Sequence, residues 1–235
     1  MLNYFKNKIR KHFFRFSAKN RHIRKSVNCK LAWYGSRYGG FYINPEILNE
    51  NSIVYSFGIG EDITFDSDLI KKHSCNVFGF DPTPKSISWV KSQKVTNNFH
   101  FFDFGLGNVT GYSDFFFPKN PKHISGSIVE QNNINKCDKV KVLLKSINDI
   151  AVELEHKRID VLKMDIEGAE YELIDDILNA DISIDQILIE FHDRLFSDGR
   201  IKTINAIQRL NEKYAIFGYS DNYEEISFIR RDLIV

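Results

Sequence analysis

At 235 residues, with 43% hydrophobic and 27% charged residues, the chain can bury one sizeable core and carries no compositional mark of disorder or fibre. Cys29, Cys75 and Cys137 are odd in number and form no Cys-x-x-Cys pair, which argues against a disulfide frame or a zinc site and fits a reducing cytoplasm. No apolar run reaches the ~20 residues that cross a bilayer, and basic residues interrupt Phe13, Phe14 and Phe16 where a secretory signal would be unbroken.

The net charge of +1 hides an asymmetry: residues 1–30 hold ten Lys or Arg and no Asp or Glu, so residues 31–235 carry a net charge of −9. Within this arm Leu2, Phe5, Ile9, Phe13 and Phe16 recur at helical steps, flanked by Lys6, Arg10, Lys11 and Arg15. The pattern is that of a basic amphipathic helix, suited either to covering an apolar patch of its own domain or to peripheral contact with an anionic membrane surface. Nucleic acid is the least favoured partner, because the body is acidic and no nucleic-acid module accompanies the arm. The expected organisation is an arm over residues 1–30 and one domain over residues 31–235.

From Ser52 onward short apolar runs alternate with amphipathic stretches, the signature of βαβ units around a mostly parallel sheet. Strands are predicted at Ile53–Phe57, Asn76–Phe80 and Phe99–Phe104, with helices at Phe65–His73 and Pro84–Gln93 between them. Gly105, Gly107 and Gly111 then break the pattern before Tyr112–Phe117, a predicted antiparallel excursion ended by Pro118. Lys119–Asp138 reads as a long loop, a candidate for acceptor contacts. Val140–Leu144, the helix Ile147–Leu154, the strand Ile159–Met164, the helix Ala169–Leu178, the strand Gln186–Glu190 and the helix Lys202–Asn211 follow. Tyr214–Tyr219 and Glu225–Ile229 close the chain as a hairpin. The fold class is α/β, a doubly wound, Rossmann-like sheet.

The first of these strands runs into Ser56-Phe57-Gly58-Ile59-Gly60-Glu61-Asp62 and then a helix, placing glycines where a backbone must approach a ligand. The next strand ends at Asp81, 21 positions after Gly60, where a carboxylate can accept hydrogen bonds from both hydroxyls of an adenosine ribose. A dinucleotide fingerprint wants a third glycine at position 63, which is Ile63, so a pyrophosphate and an NAD-dependent oxidoreductase are disfavoured. S-adenosylmethionine, which has no phosphate, fits the pattern better.

These residues resemble the FkbM-type class I methyltransferases. The resemblance runs through Val54–Asp66, Phe78-Gly79-Phe80-Asp81-Pro82-Thr83-Pro84, Gly105-Leu106-Gly107, Lys163-Met164-Asp165-Ile166-Glu167-Gly168-Ala169-Glu170 and Ile189-Glu190-Phe191-His192, and leaves the arm outside. It implies a seven-stranded sheet with an antiparallel last strand, S-adenosylmethionine as methyl donor, and a hydroxyl acceptor on a sugar, polysaccharide or glycosylated metabolite. Ser56 departs from the pattern, since many class I enzymes carry an acidic residue there; Glu61 or Asp165 can then meet the methionine amino group. The candidate cofactor contacts are Phe57, Gly58, Ile59, Gly60, Glu61, Asp81, Pro82 and Asp165, with Asp103 as a contact to adenine.

Asp165 and Glu167 follow one predicted strand and Glu190 and His192 end the next, so all four belong at the carboxyl edge, where ligands bind in open α/β sheets. His192 can act as the general base on an acceptor hydroxyl, with Asp165 and Glu190 orienting it. A divalent cation held by three carboxylates and an imidazole is a second reading; sequence alone shows no convergence, and no metal ligand is assigned. A non-catalytic binding module of the same fold is the alternative function, and Ser56 is its best support.

Overall fold

The computed structural model describes residues 22–118 and 134–234. The amphipathic pattern of the arm falls in residues 1–21 and so lies outside the described residues. The remainder of the arm runs along the body: Ile23 is buried in the main core, and the Ser26 amide donates to the Ile216 carbonyl.

Two short strands then appear that periodicity did not predict. β1 (Ala32–Tyr34) pairs antiparallel with β2 (Phe41–Ile43). Elements of three residues are too short to show a period. Packing holds them instead, with Phe41 and Ile43 fully buried and Trp33 edge-on to Tyr42.

The parallel strands follow as the apolar runs require: β3 (Ile53–Phe57), β4 (Asn76–Phe80) and β5 (Phe99–Phe102). Helices α1 (Thr64–His73) and α2 (Pro84–Ser92) form the crossovers. The third strand ends at Phe102, short of the expected Phe104, because the chain bends at exposed Asp103 and passes into another sheet. That sheet comprises β6 (Gly105–Leu106), β7 (Gly111–Pro118) and β8 (Ile134–Lys145), in the order β6-β8-β7. β8 begins at Ile134, so the expected loop over Lys119–Asp138 is shorter by its last five residues; residues 119–133 lie outside the described residues.

The chain returns through α3 (Ile147–Glu153), β9 (Arg158–Met164), α4 (Glu170–Leu178), β10 (Ser183–Glu190) and α5 (Gly199–Leu210), then closes with β11 (Tyr214–Tyr219) and β12 (Glu225–Arg230). The large sheet has seven strands in the order β11-β12-β10-β9-β3-β4-β5, and β12 runs antiparallel to both neighbours. The expected topology is therefore the observed one.

Helices cover both faces. Phe65, Leu69 and Val90 of α1 and α2 pack into one core layer, while Ile150, Leu173, Ile177 and Leu210 of α3, α4 and α5 pack into the other. The β1–β2 hairpin completes the first layer over β10 and β12: the Ser227 hydroxyl donates to the Tyr42 carbonyl at 2.7 Å, and the Gln186 amide group bonds the Asn44 backbone in both directions. Order along the sheet reverses at β3, whose neighbours are β4 on one side and β9 on the other. A crevice opens at the carboxyl ends of such a pair. Among the described residues no helix is long and apolar enough to cross a membrane.

Candidate active site

Three strand ends are stitched together at that crevice. The Gly58 amide donates to the Phe80 carbonyl at 3.0 Å, and the Asp165 amide to the Phe57 carbonyl at 3.1 Å. Gly58 has φ +79°, and a Cβ there would stand 1.7 Å from the Asp165 carbonyl oxygen, so only glycine lets the two loops approach. Gly60 also has positive φ, +58°, but no heavy atom lies within 4 Å of its would-be Cβ. Its amide donates to Asp81 Oδ2 at 2.9 Å.

Asp81 also receives the Thr83 amide and hydroxyl on Oδ1, at 2.9 and 2.8 Å. A carboxylate offers about four acceptor positions, and the protein takes three of them. One remains, on Oδ2. The expected ribose contact of Asp81 would use this position.

A cavity of about 360 Å³ fills the crevice, within the size range of small-molecule sites, roughly 300–1,000 Å³. Phe57, Gly58, Ile59, Gly60, Glu61, Asp81, Pro82 and Asp165 all line it. Asp103, the expected adenine contact, does not: it is exposed on the bend after β5. Leu106, Phe115 and Leu144 wall that side instead, and Tyr38 and Gly39 from the β1–β2 hairpin close another. Sequence reading missed this second wall because the hairpin itself left no periodic trace.

Two buried ionisable side chains lie near the Gly58 turn. Lys163, 4% exposed, donates to the Gly58 carbonyl at 3.2 Å and approaches Asp165 Oδ2 at 3.9 Å. Asp66 reaches in from α1; burial raises its carboxyl pKa, partly opposed by the Lys163 charge and the Ser56 hydroxyl. An acidic group thus stands beside Ser56 although the strand position itself is not acidic. The signal available for Lys163 was a lysine between Leu162 and Met164, near the carboxyl end of a predicted parallel strand.

The carboxylates and imidazole at the edge do converge. Glu167 (φ +52°) and Gly168 (φ +98°) make the left-handed turn from β9 into α4, which brings Glu170 back beneath the turn. Glu170 is fully buried; Oε2 accepts from the Gly168 amide at 2.8 Å, and Oε1 accepts from the His192 amide at 2.8 Å and lies 3.2 Å from its Nδ1. His192 Nε2 faces Glu167 Oε2 at 3.4 Å, Glu190 Oε1 at 3.5 Å and Asp165 Oδ1 at 3.7 Å.

Burial by itself would lower the His192 pKa, but the Glu170 hydrogen bond and the charges of Glu170, Glu167 and Asp165 outweigh it and lift the pKa to about 10. Glu190 is pushed up to about 8 by burial and by the Asp165 charge, against the pull of His192. As the expected general base, His192 stands behind Asp165 and Glu167, outside the residues that line the cavity, and the surrounding carboxylates raise its pKa. Glu170 was present in the motif but carried no expected role, and an acid opening a helix is ordinarily read as a dipole partner.

Residues 35–220 match the sequence pattern of the methyltransferase FkbM domain, a span that holds the Gly58 turn, Asp81, the Lys163–Glu170 motif and His192. The chain belongs to the FkbM methyltransferase family. The human probable methyltransferase-like protein 24 is 25% identical over 154 residues, which is 65% of this chain and 36% of that protein. The rat protein of the same description is 24% identical over the same length, so the match spans about a third of these relatives. Among solved structures, P. horikoshii TYW2 in complex with MeSAdo aligns over 85% of this chain and 69% of that one, with 9% identity and a TM-score of 0.36. The family match begins just beyond the basic arm and ends at Ser220, before β12.

Proposed function

We propose that the chain transfers the methyl group of S-adenosylmethionine to a hydroxyl oxygen of a sugar, polysaccharide or glycosylated acceptor. The observation that carries this reading is the Gly60–Asp81 pair: an open, left-handed turn held by a carboxylate that lines the cavity and keeps an acceptor position on Oδ2. This donor set fits the cofactor. Asp81 Oδ2 would take a ribose hydroxyl, the backbone of Gly58–Gly60 would pass along the chain of the methionine, and Glu61 and Asp165 would face its ammonium, with Glu61 shared by Lys85 at 3.2 Å. When bound, the cofactor supplies an electrophilic methyl group on a sulfonium.

The remaining work is positioning. In-line alignment and exclusion of water supply most of what methyl transfer needs. Asp165 and Glu167 line the cavity and are placed to take the proton of an acceptor hydroxyl, while His192, pinned by Glu170, holds them from behind. A non-catalytic module was favoured by Ser56 in the sequence; Asp66 beside it weakens that support. Isothermal titration with S-adenosylmethionine, S-adenosylhomocysteine and NAD tests the reading. Binding of the first two and not of NAD is expected, and absence of binding by all three would overturn it.

A further inference from the structure

The two nitrogens of His192 have different neighbours, and Glu170 sorts them. Its Oε1 accepts from the His192 amide and lies 3.2 Å from Nδ1, and because an ionised carboxylate only accepts, the proton on this side is assigned to Nδ1. Among the described residues the buried Nε2 has no hydrogen-bond partner, and it points into the group formed by Glu167, Glu190 and Asp165. Its distances to their oxygens, 3.4, 3.5 and 3.7 Å, exceed charge-assisted hydrogen bonds of about 2.7–2.9 Å. They approach the separation of two ligands on one ion: with bonds of about 2.1 Å, neighbours stand about 3.0 Å apart at right angles and about 3.4 Å apart at tetrahedral angles.

We propose that Asp165 Oδ1, Glu190 Oε1 and His192 Nε2, whose atoms lie within 4.8 Å of one another, hold one divalent cation, with Glu167 beside them as a further donor. Glu170 is the positioning residue. A carboxylate that binds the far nitrogen of a ligating histidine fixes its tautomer and its ring plane, and that is the arrangement found here. Mixed imidazole and carboxylate donors suit Mn²⁺ among hard and borderline ions. His192 is enclosed, whereas the side chains of Asp165 and Glu167 are 23% and 24% exposed and line the cavity, so the ion's remaining positions face the space assigned above to the acceptor. An ion there would orient an acceptor hydroxyl and lower its pKa. That role rests on the proposed methyl transfer, but the binding of the ion does not.

The test is equilibrium titration of the full chain, stripped with EDTA and dialysed, with Mn²⁺ alone, following free Mn²⁺ by electron paramagnetic resonance. One ion per chain is expected. Asp165→Asn and Glu190→Gln should each weaken binding by about tenfold or more, and Glu170→Gln by about 10- to 100-fold through the histidine. If Glu170→Gln does not fold, the partly exposed Asp165→Asn decides, with circular dichroism as its control. No saturable binding by the wild-type chain, or unchanged affinity in folded Asp165→Asn and Glu190→Gln, overturns the site and leaves the imidazolium alone to balance the carboxylates. S-adenosylmethionine affinity measured separately in EDTA reports on the methyltransferase reading, so failure of one is visible beside survival of the other.

Discussion

The carbonyl oxygen of Asp165 stands 1.7 Å from the point where a side chain on Gly58 would place its Cβ. The cavity exists because these two loops touch through bare backbone. Gly58→Ala must therefore part β3 from β9 or strain the turn, at a cost of roughly 2–4 kcal/mol, or about 4–16 °C in melting temperature. Gly60→Ala meets no atom and pays only for its positive φ, about 1 kcal/mol. Thermal unfolding of the two variants checks the contrast; equal losses would show that the contact does not set the first cost.

Asp81 carries two duties on one carboxylate, holding the Gly60 turn and offering its last acceptor position to the cavity. Asp81→Asn replaces an acceptor by a donor on one side. A hydrogen bond to a charged group is worth about 1.5–3 kcal/mol, so S-adenosylmethionine affinity should fall about 10- to 100-fold, as measured by isothermal titration. Unchanged affinity would remove Asp81 from the cofactor contacts.

Asp66 provides a pH test away from the edge cluster. Burial raises its folded pKa above the unfolded value, so the native state binds this proton more tightly than the unfolded chain. Its contribution to stability is fully present below the unfolded pKa and is lost as pH rises through the folded pKa. Asp66→Asn fixes the neutral form. Its melting temperature relative to wild type should increase between pH 4 and pH 8, on the order of the range over which carboxylates titrate; a difference that shrinks with pH would show that Lys163 and Ser56 outweigh burial.

The basic amphipathic arm has two assigned uses, and deletion of residues 1–21 separates them. Ile23 and Ser26 already tie the following segment to the body. Loss of binding to anionic phosphatidylserine vesicles with an unchanged melting temperature would support peripheral membrane contact. A lower melting temperature with no change in vesicle binding would assign the arm to its own domain.

Much of the fold was legible because buried parallel strands must be apolar on both faces and crossover helices on one. The runs at Ile53–Phe57 and Asn76–Phe80 match β3 and β4 at both ends. Likewise, Gly58, Gly60 and Asp81 announced a ligand crevice, since few side chains tolerate such a turn and few positions favour a buried acid after a strand. Phe99–Phe104 ran on too far, because an aromatic run does not show where the chain changes sheets.

By itself the sequence determined the order of the strands and helices of the large sheet, the place of the crevice and the family, all of which depend on local periodicity and on residue types at short spacing. Tertiary structure alone decided where the edge residues stand and what they touch. His192 became an enclosed partner of Glu170 and the carboxylates, Asp103 turned to solvent, and Tyr38 came to the cavity from a hairpin with no period of its own. Charge state and reach are properties of neighbours brought together from distant parts of the chain, and burial sets their strength; neither is written in any single stretch of residues.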